Sequence, residues 1–170
     1  MKIVILEDNC DRRKAMAAYL ADRLYTFDAV FFESPQPMLE YLREHLSEAI
    51  CIALDHDMEL IEGADGALVD PGTGREIADF LATRAPQCPV IPHTTNTEAA
   101  EAMALVLRDA AWNVHRVVPW GDLEWVHAAW GCTVRRVILD TAQPLHHHSA
   151  NAIGRESTPP ASRQPGAPAE

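Results

Sequence analysis

Short apolar runs alternate with helical periods five times over the first 130 residues, and this alternation limits the fold more tightly than any other feature of the chain. The runs Ile3 to Leu6, Ala29 to Phe32, Cys51 to Leu54, Val90 to Pro92 and Arg116 to Val118 end in polar or turn residues, as mostly buried strands do. Between them, Met16, Tyr19, Leu20, Arg23 and Leu24 recur at helical spacing behind Asn9, a residue suited to cap a helix. Ser34-Pro35 sets a cap before proline at the first helical position and predicts a helix through about His45. Thr73-Gly74-Arg75-Glu76 and Thr95-Asn96-Thr97-Glu98 both have capping-box spacing and open the third and fourth helices. A fifth helix is expected from Asp122 to about Trp130. Parallel neighbours need crossover connections, and these are right-handed, so the pattern predicts a doubly wound α/β fold with a five-stranded parallel sheet. After Gly131, the run Val134 to Leu139 fits either an extra edge strand or a last helical turn.

The 170 residues, 48% hydrophobic and 23% charged, suit one ordinary domain with one core. Lys and Arg number 14 against 25 Asp and Glu, giving a net charge of -11. That balance argues against binding duplex DNA or an anionic membrane through broad electrostatics, while a small local phosphate site is still allowed. The run Ile3 to Leu6 stops at Glu7 and Asp8, far short of a signal-peptide core or a membrane span, so a cytoplasmic protein is expected. From Thr141 onward the chain holds five prolines in thirty residues together with many Ala, Ser, Gln and Gly. This composition predicts a disordered tail over 141–170 behind a folded domain over 1–140, with His146, His147 and His148 simply solvated. Cys10, Cys51, Cys88 and Cys132 form no C-x-x-C pair and are expected to be reduced and mostly packed.

In open α/β sheets ligands bind outside the carboxyl ends of the strands. Here the first strand ends in Glu7-Asp8, the third in Asp55-His56-Asp57, the fourth in His93-Thr94-Thr95-Asn96 and the fifth in Val118-Pro119-Trp120. If the first and third strands are neighbours, Glu7, Asp8 and Asp55 converge. Each like-charged pair at about 4 Å then costs up to roughly 4 kcal/mol at an effective dielectric of 20. Either a carboxylate takes up a proton or a cation is bound, and such oxygen ligands with open positions suit Mg²⁺ or Mn²⁺.

Glu7-Asp8 after the first strand, Asp55-x-x-Met58 after the third, Thr94 after the fourth and a Val-Val-Pro-aromatic turn after the fifth resemble the response-regulator receiver domain. The resemblance spans residues 1 to about 130 and implies the flavodoxin-like strand order 2-1-3-4-5. It further implies that Glu7, Asp8 and Asp55 hold Mg²⁺ together with the backbone carbonyl of Asp57, that Asp55 accepts a phosphoryl group, and that Thr94 senses it. One position departs from the pattern: the receiver's lysine before the proline after the fifth strand is here Val118. From Glu44 to Gly74 the chain also carries eight acids and no Lys or Arg, an insertion foreign to a plain receiver. With E-D-N-x-x-R at 7–12, D-H-D at 55–57, D-P-G-T-G-R-E at 70–76, H-T-x-N at 93–96 and D-L-E-W at 122–125, the chain resembles a divergent group, the cyclic-phosphate processing receiver domains.

The remaining candidates follow from position. If Asp55 and Thr94 face the metal pocket, strand alternation turns His56 and His93 to the other side, where they can meet at the top edge of the sheet. A histidine pair there can move protons near neutral pH, so Asp55, His56, His93 and Thr94 form the candidate catalytic set. Thr73 and Arg75 at the third helix start, Thr95 and Asn96 at the fourth, and Arg12 at the first are candidate phosphate contacts. Trp112, Trp120, Trp125 and Trp130 are read as core or partner surface. Together with the resemblance, this leads to the expectation of a metal-dependent phosphoesterase acting on cyclic nucleotides or cyclic RNA ends. The alternative is a stand-alone receiver phosphorylated on Asp55 by a histidine kinase.

Overall fold

The computed structural model describes residues 1–63 and 66–142. Strands β1 (Lys2–Leu6), β2 (Asp28–Phe32) and β3 (Ala49–Leu54) alternate with helices α1 (Cys10–Arg23) and α2 (Pro35–His45). A short hairpin follows, β4 (Ile61–Glu62) paired antiparallel with β5 (Leu68–Val69), and then α3 (Gly74–Ala82), β6 (Val90–Pro92) and α4 (Thr97–Asp109). The main sheet is parallel, in the order β2-β1-β3-β6. The fifth strand anticipated at Arg116 to Val118 is reduced to isolated parallel pairings, Val90 with Val114 and His93 with Val117. Pro92 has no N–H to offer at the middle of this edge, so the ladder cannot run on continuously.

Side-chain alternation along the strands builds two cores. Ile3 and Ile5 of β1 and Cys51 and Ala53 of β3 pack with α1 and the last helix. Val4, Leu6, Ile52 and Leu54 pack with α2, α3 and α4. Each fully buried side chain of the size of Ile5 or Leu54 stabilises the fold by about 1.5–3 kcal/mol relative to exposure. Trp112, Trp125 and Trp130 are buried and Trp120 is half exposed. The Trp112 indole N–H donates to the carbonyl of Leu81 at 2.9 Å, tying the segment after α4 to α3. That carbonyl also accepts from Arg84 N–H, so Trp112→Phe should lose about 1 kcal/mol with the hydrogen bond and a similar amount with the core volume it vacates, about 2 kcal/mol in a urea melt.

The caps behave as their chemistry dictates. Asn9 accepts from the N–H groups of Asp11 and Arg12, Pro35 opens α2, and Thr73 with Glu76 forms the capping box of α3. At α4 the cap lies one residue later than the spacing suggests: Asn96, not Thr95, takes it, accepting from Ala99 N–H at 3.1 Å. The last helical stretch passes through a π-type segment, Val126–Gly131, and continues as α5 (Cys132–Ala142). Val134 to Leu139 is therefore helix, with Val134, Val137 and Ile138 buried at i, i+3, i+4 spacing. Gly131 sits where this stretch crosses α1, and a Cβ there would fall 2.4 Å from the ring of Tyr19. Of the cysteines, Cys51 and Cys88 are buried while Cys10 and Cys132 are exposed, and all are free thiols. Helix α5 takes in Thr141 and Ala142, the first two residues of the anticipated tail; the rest of it, with its histidine trio, lies outside the described residues.

Candidate metal and phosphate site

The parallel register assembles the site. Leu6 pairs with Leu54, and Leu54 with Pro92, so the next residues in line are Glu7, Asp55 and His93. The backbone ladder runs one step further through them: Asp55 N–H donates to Leu6 O at 3.0 Å and His93 N–H to Leu54 O at 2.8 Å. Alternation then carries Glu7 on from Ile3 and Ile5, Asp55 from Cys51 and Ala53, and His93 from Ile91, all toward the face covered by α1 and the last helix. This overturns the expected parity, in which His93 turned away from Asp55 and met His56. The reason is register: position 93 stands beside position 55, so both share one face, and His56 stands on the other.

Oxygen atoms of Glu7, Asp8 and Asp55 lie within 4.8 Å of one another. Glu7 is wholly buried and Asp55 nearly so. Glu7 Oε1 accepts from Asn9 N–H at 3.1 Å, whereas its buried Oε2 has no hydrogen-bond partner. Asp8 is held from the loop after β3, its Oδ2 accepting from Glu59 N–H. Burial pushes the Asp55 carboxyl up to about 6; the His93 charge pulls it down, the Glu7 charge raises it, and the His56 N–H and Arg12 pull it down. Three hard carboxylate donors, one of them with a buried oxygen that accepts no hydrogen bond, fit Mg²⁺ or Mn²⁺.

Arg12, on the first turn of α1, reaches this cluster. Its Nη1 donates to Asp55 Oδ2 at 3.2 Å and lies 3.8 Å from Glu7 Oε1. The guanidinium rests over the Trp125 ring, 5.6 Å from its centroid. His93 also stacks with this indole, at 5.9 Å between centroids, with Trp130 edge-on to the imidazole at 6.4 Å. His93 is wholly buried, and its Nε2 stands 3.3 Å from Glu7 Oε2, at ion-pair distance but not aligned as a hydrogen bond. Trp125, read from the sequence as core or partner surface, is buried and contacts both the arginine and the histidine. The D-L-E-W motif was a signal for it, but nothing local told where the indole would land.

The Asp57 side chain, as distinct from the backbone carbonyl expected at the metal, is engaged outside the carboxylate cluster. Its Oδ1 lies 2.8 Å from His56 Nδ1, and its Oδ2 accepts from the Thr94 hydroxyl at 3.4 Å. Thr94 Oγ1 in turn accepts from Asn96 N–H at 3.1 Å. Asp57 also pairs through its backbone with Thr73, and Gly74 N–H donates to His56 O at 3.1 Å, so the start of α3 is sewn to the end of β3. A Cβ on Gly74 would fall 1.9 Å from the Asp55 carbonyl oxygen, so the glycine of the capping-box motif is what allows the approach. Arg75 turns away along its own helix to Asp79 at 2.7 Å, Thr95 is exposed, and Asn96 is occupied with capping. Val118 is half exposed, at the end of the fifth segment.

A doubly wound sheet with carboxylates at the ends of β1 and β3 defines a receiver-type domain, and solved structures bear this out. The chain is similar to the phosphorylated cyanobacterial phytochrome response regulator RcpA, at 19% identity over 84% of this chain and 96% of that one, with a TM-score of 0.60. It is similar to a response regulator receiver domain from Rhodospirillum rubrum, at 18% identity over 84% and 94%, with a TM-score of 0.56. The Mn²⁺-bound form of response regulator Rcp1 aligns at 12% identity over 84% and 95%, also with a TM-score of 0.56. Among curated proteins none matches. The family model for the cyclic-phosphate processing receiver domain matches residues 2–109, and the chain belongs to that family.

Proposed function

We propose that this protein is a metal-dependent phosphoesterase that opens cyclic phosphates, on small nucleotides or on RNA ends. The observation that carries the reading is the carboxylate cluster at the ends of β1 and β3, largely buried and with a Glu7 oxygen that accepts no hydrogen bond, in a chain of this family. Glu7, Asp8 and Asp55 would hold Mg²⁺ or Mn²⁺, which when bound polarises a phosphoryl oxygen and lowers the pKa of water. Arg12, beside Asp55, offers a planar fork of donors that suits phosphoryl oxygens. His56 is the proton donor to the leaving oxygen in this reading. Asp57 accepts from its Nδ1, which leaves Nε2 to carry the exchangeable proton. His93, enclosed by two indoles and facing Glu7, is a positioning residue for that carboxylate rather than an acid in contact with substrate.

The test is turnover of 2′,3′-cyclic nucleotides by the purified protein with Mn²⁺ or Mg²⁺. Opening of the ring should require the ion and fall by at least about a hundredfold in Asp55→Ala and His56→Gln. Equal turnover by wild type and Asp55→Ala rejects the proposal. A phosphorelay receiver is the second reading, favoured by Asp55 at the end of β3 with the Thr94 hydroxyl linked to it by three hydrogen bonds through Asp57 and His56. A small phosphodonor with Mg²⁺ should then add one base-labile phosphoryl group to Asp55, and no mass increase would reject it.

A further inference from the structure

Among the described residues, one arginine fork, that of Arg12, meets the acid cluster. Arg13, next in sequence, is engaged elsewhere, donating to the main-chain oxygens of Glu7 and Asp8 and pairing with Glu33 at 2.7 Å. Arg12 alone of the two touches the carboxylates, and it touches Asp55 and Glu7, two of the three acids whose oxygens converge. Its side chain keeps 29% of its surface exposed, and its guanidinium lies on an indole face that guides it without fixing it by a directed bond. An ion held among the three carboxylates would neutralise the charge that now draws Arg12 onto Asp55, and would repel the guanidinium.

We propose that Arg12 is an exchangeable counter-ion: it neutralises Asp55 in the metal-free protein, and metal binding releases it along the Trp125 face to clamp the phosphoryl group of the substrate. This rests on the metal reading above and adds an order of events to it. The same side chain first competes with the cation and then supports the anion, so substrate phosphate and metal bind cooperatively. Arginine suits the exchange because its fork fits a carboxylate and a phosphate with the same geometry.

Isothermal titration of the full chain with Mg²⁺ alone, and then with inorganic phosphate at saturating Mg²⁺, tests the proposal without reference to turnover. In Arg12→Gln, Mg²⁺ should bind about tenfold more tightly and phosphate about tenfold more weakly, opposite shifts that a merely structural role would not produce. Arg12→Lys keeps the charge but loses the fork. It should stay near wild type for Mg²⁺ and fall between wild type and Arg12→Gln for phosphate. Unchanged or weaker Mg²⁺ binding by Arg12→Gln, with wild type binding normally, overturns the exchange and leaves the metal site standing. A wild-type protein that takes up no Mg²⁺ overturns both.

Discussion

Gly74→Ala is expected to destabilise the protein by about 3 kcal/mol or more, a large part of the roughly 5–15 kcal/mol that keeps an ordinary domain folded. The added Cβ would stand 1.9 Å from the Asp55 carbonyl oxygen, 3.0 Å from its carbon and 3.3 Å from His56 Cα. All three are backbone atoms of the residues that close β3, so no rotamer change relieves the clash and helix α3 must retreat. The retreat breaks the Gly74-to-His56 hydrogen bond and the Asp57–Thr73 pairing. It also removes the burial of Ile77, Ala78 and Leu81 on that face of the sheet. A urea melt checks the stability, and Mg²⁺ titration of whatever folded fraction survives checks the site, where affinity should fall because Asp55 loses its backing. A midpoint equal to wild type would show that the junction of β3 and α3 yields far more readily than its packing implies.

In the metal-free protein, Asp55 should make stability fall as the pH rises between about 4 and 6. Its carboxyl is held up at about 6, chiefly by burial, against an ordinary value of 3.8. Below 3.8 folded and unfolded chains both hold the proton, and between the two values the folded protein keeps a proton that the unfolded chain has released. Folding is therefore favoured most at the acid end of this window, and the advantage is lost as the pH passes through the folded value. At about 1.4 kcal/mol per pH unit the loss comes to roughly 3 kcal/mol. Other carboxylates contribute slopes of their own, so the measurement is the difference between wild type and Asp55→Asn in urea melts across the window. A difference that does not change with pH would contradict the burial of this charge. Saturating Mg²⁺ should reverse the trend, because a cation on the cluster favours the ionised carboxylate. Its affinity should weaken about tenfold per pH unit below 6, and at a hundred times its Kd it should add about 2.7 kcal/mol of stability.

The strands, helices and caps of this domain were readable because their causes are local. Asn9, Pro35 and the Thr73–Glu76 box act within a few residues of chain, and the apolar runs of β1 and β3 announce burial by composition. Local signals failed where two readings had equal local support. At α4, Thr95 and Asn96 are both good caps, and the competition was settled by Thr94, whose hydroxyl accepts the Asn96 N–H and sets the turn one residue later. Val134 to Leu139 has apolar residues at both strand and helix spacing, and the sheet edge it might have joined is already occupied by the segment carrying Val114 and Val117.

The chemistry available at the strand ends is written in the residue types: acids at 7, 8 and 55, imidazoles at 56 and 93, a guanidinium at 12. Which of these groups meet is a different matter, because it depends on how strands distant in sequence align. A shift of one residue between β3 and β6 would have put Thr94 beside Asp55 and sent His93 to the opposite face; the pairing of Leu54 with Pro92 does the reverse. The contacts of Trp125 with Arg12 and with His93 likewise depend on a helical segment more than a hundred residues along the chain from Arg12. Side-chain identity travels with the sequence, but proximity is set by register and packing, which are long-range and collective.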